Sequence, residues 1–209
     1  MNITKYVHSC LLVETPERVA LFDPGEMSQT ALPIDQIERL DDLIITHAHP
    51  DHYCLDVIQQ LVAKFRGLVI TAPAEVVAML GREGIVASDR PTAGIEFFDS
   101  PHESVQPLYP QPDQIGVHYL DYLTHPGDSH SFAETKCILA LPITAPCGSV
   151  IRALNLALEL KPQYVVPIHD WHWRDEARLS TYENFEKILG AQGIGFLKPE
   201  TGVALALDI

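Results

Sequence analysis

Thr46-His47-Ala48-His49-Pro50-Asp51-His52 is an H-x-H-x-D-H cluster set directly behind the apolar run Leu43-Ile44-Ile45. Four side chains able to bind a metal fall within six positions, at the predicted end of a buried strand. Imidazole and carboxylate suit zinc and its divalent neighbours, and a strand end feeding a tight turn aims several of them at one place. The cluster therefore points to a metal site, and to two metals rather than one. A solvated polar loop is the plainer alternative, but residues of these types at this spacing seldom gather by chance.

Residues 55–65 carry Val57, Ile58, Leu61, Val62 and Phe65 at helical spacing, with Gly67 as a stop, so an amphipathic helix follows the metal loop. Ahead of the loop, residues 3–7, 10–14 and 19–22 read as short strands, the last closed by Asp23-Pro24-Gly25. Beyond it come a strand over 68–71, a helix opened by Pro73 and running to Leu80 before Gly81, and extended segments over 95–98, 115–123 and 137–141. Residues 149–160 place Ile151, Leu154 and Leu158 on one helical face, and 164–168 form a near-continuous apolar strand, the pattern of burial on both faces. Ser180 and Glu183 have capping-box spacing for a last helix ending at Gly190, and strands over 193–197 and 202–207 close the chain. Strands and helices mix throughout, without linker, repeat or low-complexity segment. Layered α/β packing in a single domain over residues 1–209 is expected.

At 209 residues, with 46% hydrophobic and 20% charged residues, the chain can bury most of its apolar surface without disulfides. A net charge of -14 and the scattering of 14 Lys and Arg leave no electrostatic footprint for nucleic acid. Cys10, Cys54, Cys137 and Cys147 form no C-x-x-C pair and stand mostly beside apolar residues, as packed, reduced thiols do. No positively charged leader precedes the first strand, and no apolar run approaches the roughly 18 residues of a membrane span. A soluble cytoplasmic protein is the expectation, with no membrane partner.

Four stretches stand in a telling order: Lys5-Tyr6-Val7-His8-Ser9-Cys10 through Phe22-Asp23-Pro24-Gly25, the H-x-H-x-D-H cluster, Thr124-His125-Pro126-Gly127-Asp128-Ser129, and Lys161-Pro162 through Val166-Pro167-Ile168-His169. In that order, over nearly its whole length, the chain resembles the metallo-β-lactamase-fold hydrolases, and among them the small branch of L-ascorbate-6-phosphate lactonase and its relatives. The resemblance implies an α/β (α+β) fold, a four-layer αβ/βα sandwich with the metals at one edge between two sheets. One departure is Pro142-Ile143-Thr144-Ala145-Pro146, where relatives often place a Gly pair. That segment would lie near the site and bears on substrate identity, not on the ligands.

The resemblance gives His47, His49 and a third His to one metal, and Asp51, His52 and a final His to the other, with a carboxylate bridging both. For the third His, His102 in the loop Ser100-Pro101-His102-Glu103 is preferred to His118, which lies in an extended apolar run where a lone His is more often core. For the bridge, Asp128 follows Pro126-Gly127, and glycine lets the backbone come close; an ordinary Gly-Asp-Ser turn is the competing reading. His169, directly behind an apolar strand, is the last ligand, with His172 as fallback. His8, Asp23, His125 and His130 remain. Each could orient a ligating imidazole through its outer N–H, a role that suits Asp23, while the three histidines could instead line the substrate pocket.

The implied chemistry is hydrolysis of a small ester, lactone or phosphoester by a hydroxide bridging two divalent cations, zinc or manganese. Asp128 holds the cations together, and Asp51 or His130 gives the leaving group its proton. The expected partner is a small-molecule substrate, and assembly into a homo-oligomer stays open. No G-x-S-x-G elbow is present to suggest a covalent intermediate. Within the same fold, glyoxalase II is disfavoured because His102 lacks a G-H-T-x-G context, and ribonuclease Z because no basic RNA-binding arm is visible. A di-iron redox protein usually carries Glu in the place of His49, and a non-catalytic metal-binding module would be expected to have damaged ligands.

Overall fold

The structure, a computed structural model, describes residues 1–144 and 149–209; Ala145, Pro146 and Cys147, singled out above, lie outside the described residues. In chain order the elements are β1 (Asn2–Lys5), β2 (Leu11–Glu14), β3 (Val19–Phe22), β4 (Asp42–Ile44), α1 (Leu55–Lys64), β5 (Val69–Thr71), α2 (Ala74–Arg82), β6 (Ile95–Phe98), β7 (Gly116–Tyr119), β8 (Leu123–His125), β9 (Ile138–Pro142), α3 (Val150–Leu160), β10 (Tyr164–Ile168), α4 (Asp175–Gly190), β11 (Gly195–Phe196) and β12 (Ala204–Ala206). They fall into two units, Met1–Ala93 with Pro112–Gln114 and Pro199–Ile209, and Gly94–Gln111 with Ile115–Lys198.

The first unit is a six-stranded sheet in the order β12-β1-β2-β3-β4-β5. Short polar turns make β1, β2 and β3 an antiparallel meander, after which β3, β4 and β5 run parallel. One face packs on α1 and α2: Leu21 and Leu43 from the strands meet Val57, Ile58, Leu61, Val76 and Leu80 from the helices. Each such fully buried aliphatic chain contributes about 1.5–3 kcal/mol. The H-x-H-x-D-H loop is thus anchored at both ends, by β4 before it and by α1 after it. Helix α2 continues through Gly81 to Arg82, beyond the stop expected at Gly81. The positive φ of 74° at Gly84, a conformation glycine adopts at no steric cost, marks the exit instead.

The second unit is a six-stranded sheet in the order β11-β10-β9-β8-β7-β6. Strands β8 to β11 run parallel, and α3 and α4 pack on them through Ala153, Ala157, Phe185 and Leu189 against Leu139, Leu141 and Val165. The single strand expected over 115–123 is instead the antiparallel pair β7 and β8. Leu120 at φ 50° and a Tyr122 N–H to Tyr119 O bond of 3.2 Å make the turn, which no Gly or Pro announced. The last helix starts at Asp175, so Ser180 lies exposed within it and the expected capping box is not its N-terminus. Asp175 and Glu176 occupy the first turn, where negative charge complements the helix dipole. Among the described residues, no helix is long and apolar enough to cross a membrane.

Candidate metal centre

Behind β4, Ile45 still donates to Thr71 O, and the chain then folds back so that His52 N–H and Tyr53 N–H both donate to His49 O at 2.9 Å. This turn presses on Gly25, where a Cβ would stand 2.0 Å from Asp51 O; only glycine permits that approach. Asp23, fully buried, adopts φ 44°, a region that Asp tolerates better than most residues. Its carboxylate accepts from Thr46 N, Thr46 Oγ1 and His52 Nδ1, each at 2.7 Å. Because a carboxylate only accepts, the one hydroxyl proton of Thr46 is committed to Asp23, and Thr46 Oγ1 must accept from His47 Nδ1 at 3.1 Å. His47 and His52 therefore both carry their proton on Nδ1 and a lone pair on Nε2, the form in which imidazole binds a metal. Their ring centroids lie 4.0 Å apart, and those of His47 and His49 4.7 Å. Asp51 Oδ2 stands 3.7 Å from His52 Nε2 and 3.0 Å from His8 Nε2. His8, buried at φ 60°, is thus brought to the carboxylate of a candidate ligand.

In the second unit His102, Asp128 and His169 come from loops behind β6, β8 and β10. Gly127 turns at φ 60°, and the Asp128 carboxylate it delivers is 1% exposed. Asp128 Oδ2 lies 3.0 Å from His169 Nε2 and 3.7 Å from His102 Nε2. His102 Nδ1 meets Glu103 O at 2.5 Å, and a carbonyl accepts, so the proton is on Nδ1. His169 Nδ1 lies 3.3 Å from Thr144 Oγ1, whose own proton goes to His169 O at 2.6 Å; Nδ1 is again the donor. Two Nε2 lone pairs thus face a buried carboxylate oxygen. Without a cation between them such pairs repel in a low dielectric. Two ligands each about 2.0–2.2 Å from a tetrahedral ion stand roughly 3.3–3.6 Å apart, and the observed 3.0 and 3.7 Å straddle that range. The residues present fit a divalent metal. His169 itself sits at φ 60°, strain that its surroundings must hold. Asp170 beside it, buried, takes a short hydrogen bond from Tyr182 Oη of α4.

The remaining histidines divide. His118 in β7 bonds Thr124 Oγ1 through Nδ1 at 2.9 Å and stacks on Phe98 with centroids 4.4 Å apart; burial holds its pKa below the ordinary value. His130 gives its Nε2 proton to Pro142 O at 2.6 Å, and burial lowers its pKa, so the neutral ring has a lone pair, not a proton, at the buried Nδ1. His125 Nδ1 accepts from Gly127 N–H at 3.3 Å, and His172 is exposed with its ring 6.0 Å from that of His169.

Thr46, Thr144 and Glu103 received no role from the sequence. Thr46 could have been found: a hydroxyl residue directly before the first ligand, with an Asp closing the preceding strand, is a readable pair. Thr144 lay within the segment noted for its missing glycines. Nothing in the spacing connects Glu103 to its partners.

The Beta-lactamase superfamily domain profile matches residues 2–169, a span that holds every candidate ligand from His47 to His169. The chain belongs to the metallo-β-lactamase superfamily. It is 30% identical over 180 residues to Protein Rv0786c of Mycobacterium tuberculosis, covering 81% of this chain and 84% of that one. It is 27% identical to a UPF0173 metal-dependent hydrolase of Pyrococcus furiosus, covering 98% of this chain and all of the relative. Among solved structures, Igni18, a metallo hydrolase of Ignicoccus hospitalis, superposes with a TM-score of 0.73 over 99% of both chains at 20% identity. At that identity the likeness concerns the fold, and it agrees with the mixed α/β architecture of two sheets and four helices among the described residues.

Proposed function

We propose that this protein is a metal-dependent hydrolase that uses two divalent cations, zinc or manganese, to cleave a small ester, lactone or phosphoester. One observation carries the reading. In each unit, imidazoles whose Nδ1 proton is committed elsewhere turn Nε2 towards a carboxylate oxygen: His52 towards Asp51, and His102 and His169 towards Asp128. When bound, such cations acidify water and polarise the scissile carbonyl or phosphoryl group.

The chain's own part is to hold donors in one form. Asp23 fixes the tautomer of His52 directly and that of His47 through Thr46. Glu103 O and Thr144 do the same for His102 and His169. Asp51, 18% exposed at its side chain and 3.0 Å from His8 Nε2, is the candidate to pass a proton to a departing group, with His8 as its hydrogen-bond partner. The lactonase-like branch rests on the order of the motifs. A cytoplasmic setting is supported by the free thiols of Cys10, Cys54 and Cys137. Burial pushes the Cys10 thiol pKa up to about 12, which makes it a packing residue, not a reagent.

Elemental analysis after reconstitution with zinc or manganese tests the metal count, followed by a screen of lactones, carboxylic esters, thioesters and phosphoesters with a chelated control. The expected result is about two metals per chain and chelator-sensitive hydrolysis. Saturation at a single metal would refute the dimetal reading.

A further inference from the structure

His102 and Asp128 lie on separate loops, and one residue touches both. The main chain of Glu103 accepts from His102 Nδ1 at 2.5 Å and donates to Asp128 O at 2.9 Å. Its carboxylate, 15% exposed, accepts from His130 N at 3.2 Å and takes a two-pronged guanidinium, Arg152 Nη1 to Oε2 at 2.7 Å and Nη2 to Oε1 at 3.0 Å. Arg152 stands in the first turn of α3, where its own N–H donates to the capping Ser149 Oγ at 3.2 Å. One side chain thereby ties the loop behind β6, the loop behind β8 and the start of α3.

A fork-to-fork pair fixes orientation as well as distance. Half-exposed as Arg152 is, the pair adds little to stability by itself; what it supplies is geometry. We infer that Glu103 is a positioning residue of the metal site, holding His102 Nε2 and the Asp128 carboxylate at the separation a common cation requires. This rests on the reading of His102 and Asp128 as ligands.

The test compares wild type, Glu103→Ala, Glu103→Gln, Arg152→Ala and the Glu103→Ala/Arg152→Ala double variant. Zinc affinity is measured by competition with a chromophoric chelator, ligand geometry by the absorption spectrum of the cobalt(II)-substituted protein, and stability by thermal unfolding of the metal-free form. Removing a residue that orients ligands should weaken zinc by about 10- to 100-fold in Glu103→Ala. Glu103→Gln, which keeps an acceptor for His130 N–H, should lose less, and the cobalt spectrum should change in both. Arg152→Ala should shift affinity in the same direction, and the double variant should bind no more weakly than Glu103→Ala alone, because the two residues act through one tie. Metal-free unfolding should move by only a few degrees. If Glu103→Ala does not fold, Glu103→Gln decides. Wild-type affinity and spectrum in the glutamate variants would overturn the inference while leaving the hydrolase reading intact. A wild-type protein that takes up neither zinc nor cobalt would overturn both.

Discussion

The first unit takes His47, His49, Asp51 and His52 from one turn between β4 and α1, whereas the second draws His102, Asp128 and His169 from three loops. Their orienting partners differ as well. In the first, a single side chain, Asp23, governs two imidazoles. In the second, His102 leans on a main-chain carbonyl and His169 on Thr144, itself bound to a carbonyl. A compact loop therefore concentrates its vulnerability in one carboxylate, while the dispersed set survives most side-chain changes except at the ligands and at the ties between loops.

The largest effect is expected at Asp128, where that dispersed set converges. Asp128→Asn keeps size and fold but removes the charge faced by two Nε2 lone pairs at 3.0 and 3.7 Å. Metal affinity should fall by more than the roughly 10- to 100-fold typical of outer partners, with activity following. Full metal content in the variant would reduce Asp128 to a turn residue.

Next comes the contrast within the first unit. Asp23→Ala releases His52 and, through Thr46, His47, so a loss of about 10- to 100-fold in metal affinity is expected. Thr46→Val frees His47 alone and should weaken binding less. Calorimetric titration with zinc ranks the pair; a larger loss in Thr46→Val would break the chain of donors traced from Asp23.

Backbone approach gives a smaller effect that reads out as stability. In Gly25→Ala the new Cβ meets Asp51 O at 2.0 Å, and overpacking of this kind costs about 1–3 kcal/mol. Gly81→Ala, with open space around it inside α2, should gain up to about 1 kcal/mol from helix propensity. Urea denaturation of both metal-free variants checks the signs.

The same contrast explains what was legible. The first candidate set could be read because its members are neighbours in the chain, and Asp23 because it closes an apolar strand. The meander, the helix behind the H-x-H-x-D-H loop and strand β10 follow from period and punctuation. The split of β7 from β8 was hidden because Leu120 takes a positive φ without a glycine. The true start of α4 was hidden because acidic residues, not a hydroxyl cap, open it. Glu103 and Arg152 meet only through tertiary packing, which no local pattern records.

The smallest expected effect on metal is at His118, and it sharpens the comparison inside the second unit, where two buried histidines lie on consecutive strands' surroundings with different partners. His102 turns Nε2 towards Asp128 with its Nδ1 proton given to a carbonyl. His118 instead spends Nδ1 on Thr124 Oγ1 at 2.9 Å, a hydroxyl that also accepts from Lys136 N at 2.7 Å. Phenylalanine at 118 keeps the stacking on Phe98 and removes the hydrogen bond between the ring and the Thr124 hydroxyl, a loss of about 1 kcal/mol in stability. His118→Phe should therefore retain wild-type zinc affinity, whereas His102→Ala loses a ligand and most of the metal. Parallel zinc titrations and urea melts separate the two roles. A His118→Phe protein that unfolds normally yet fails to bind zinc, beside a His102→Ala protein that binds it, would move the ligand role to β7.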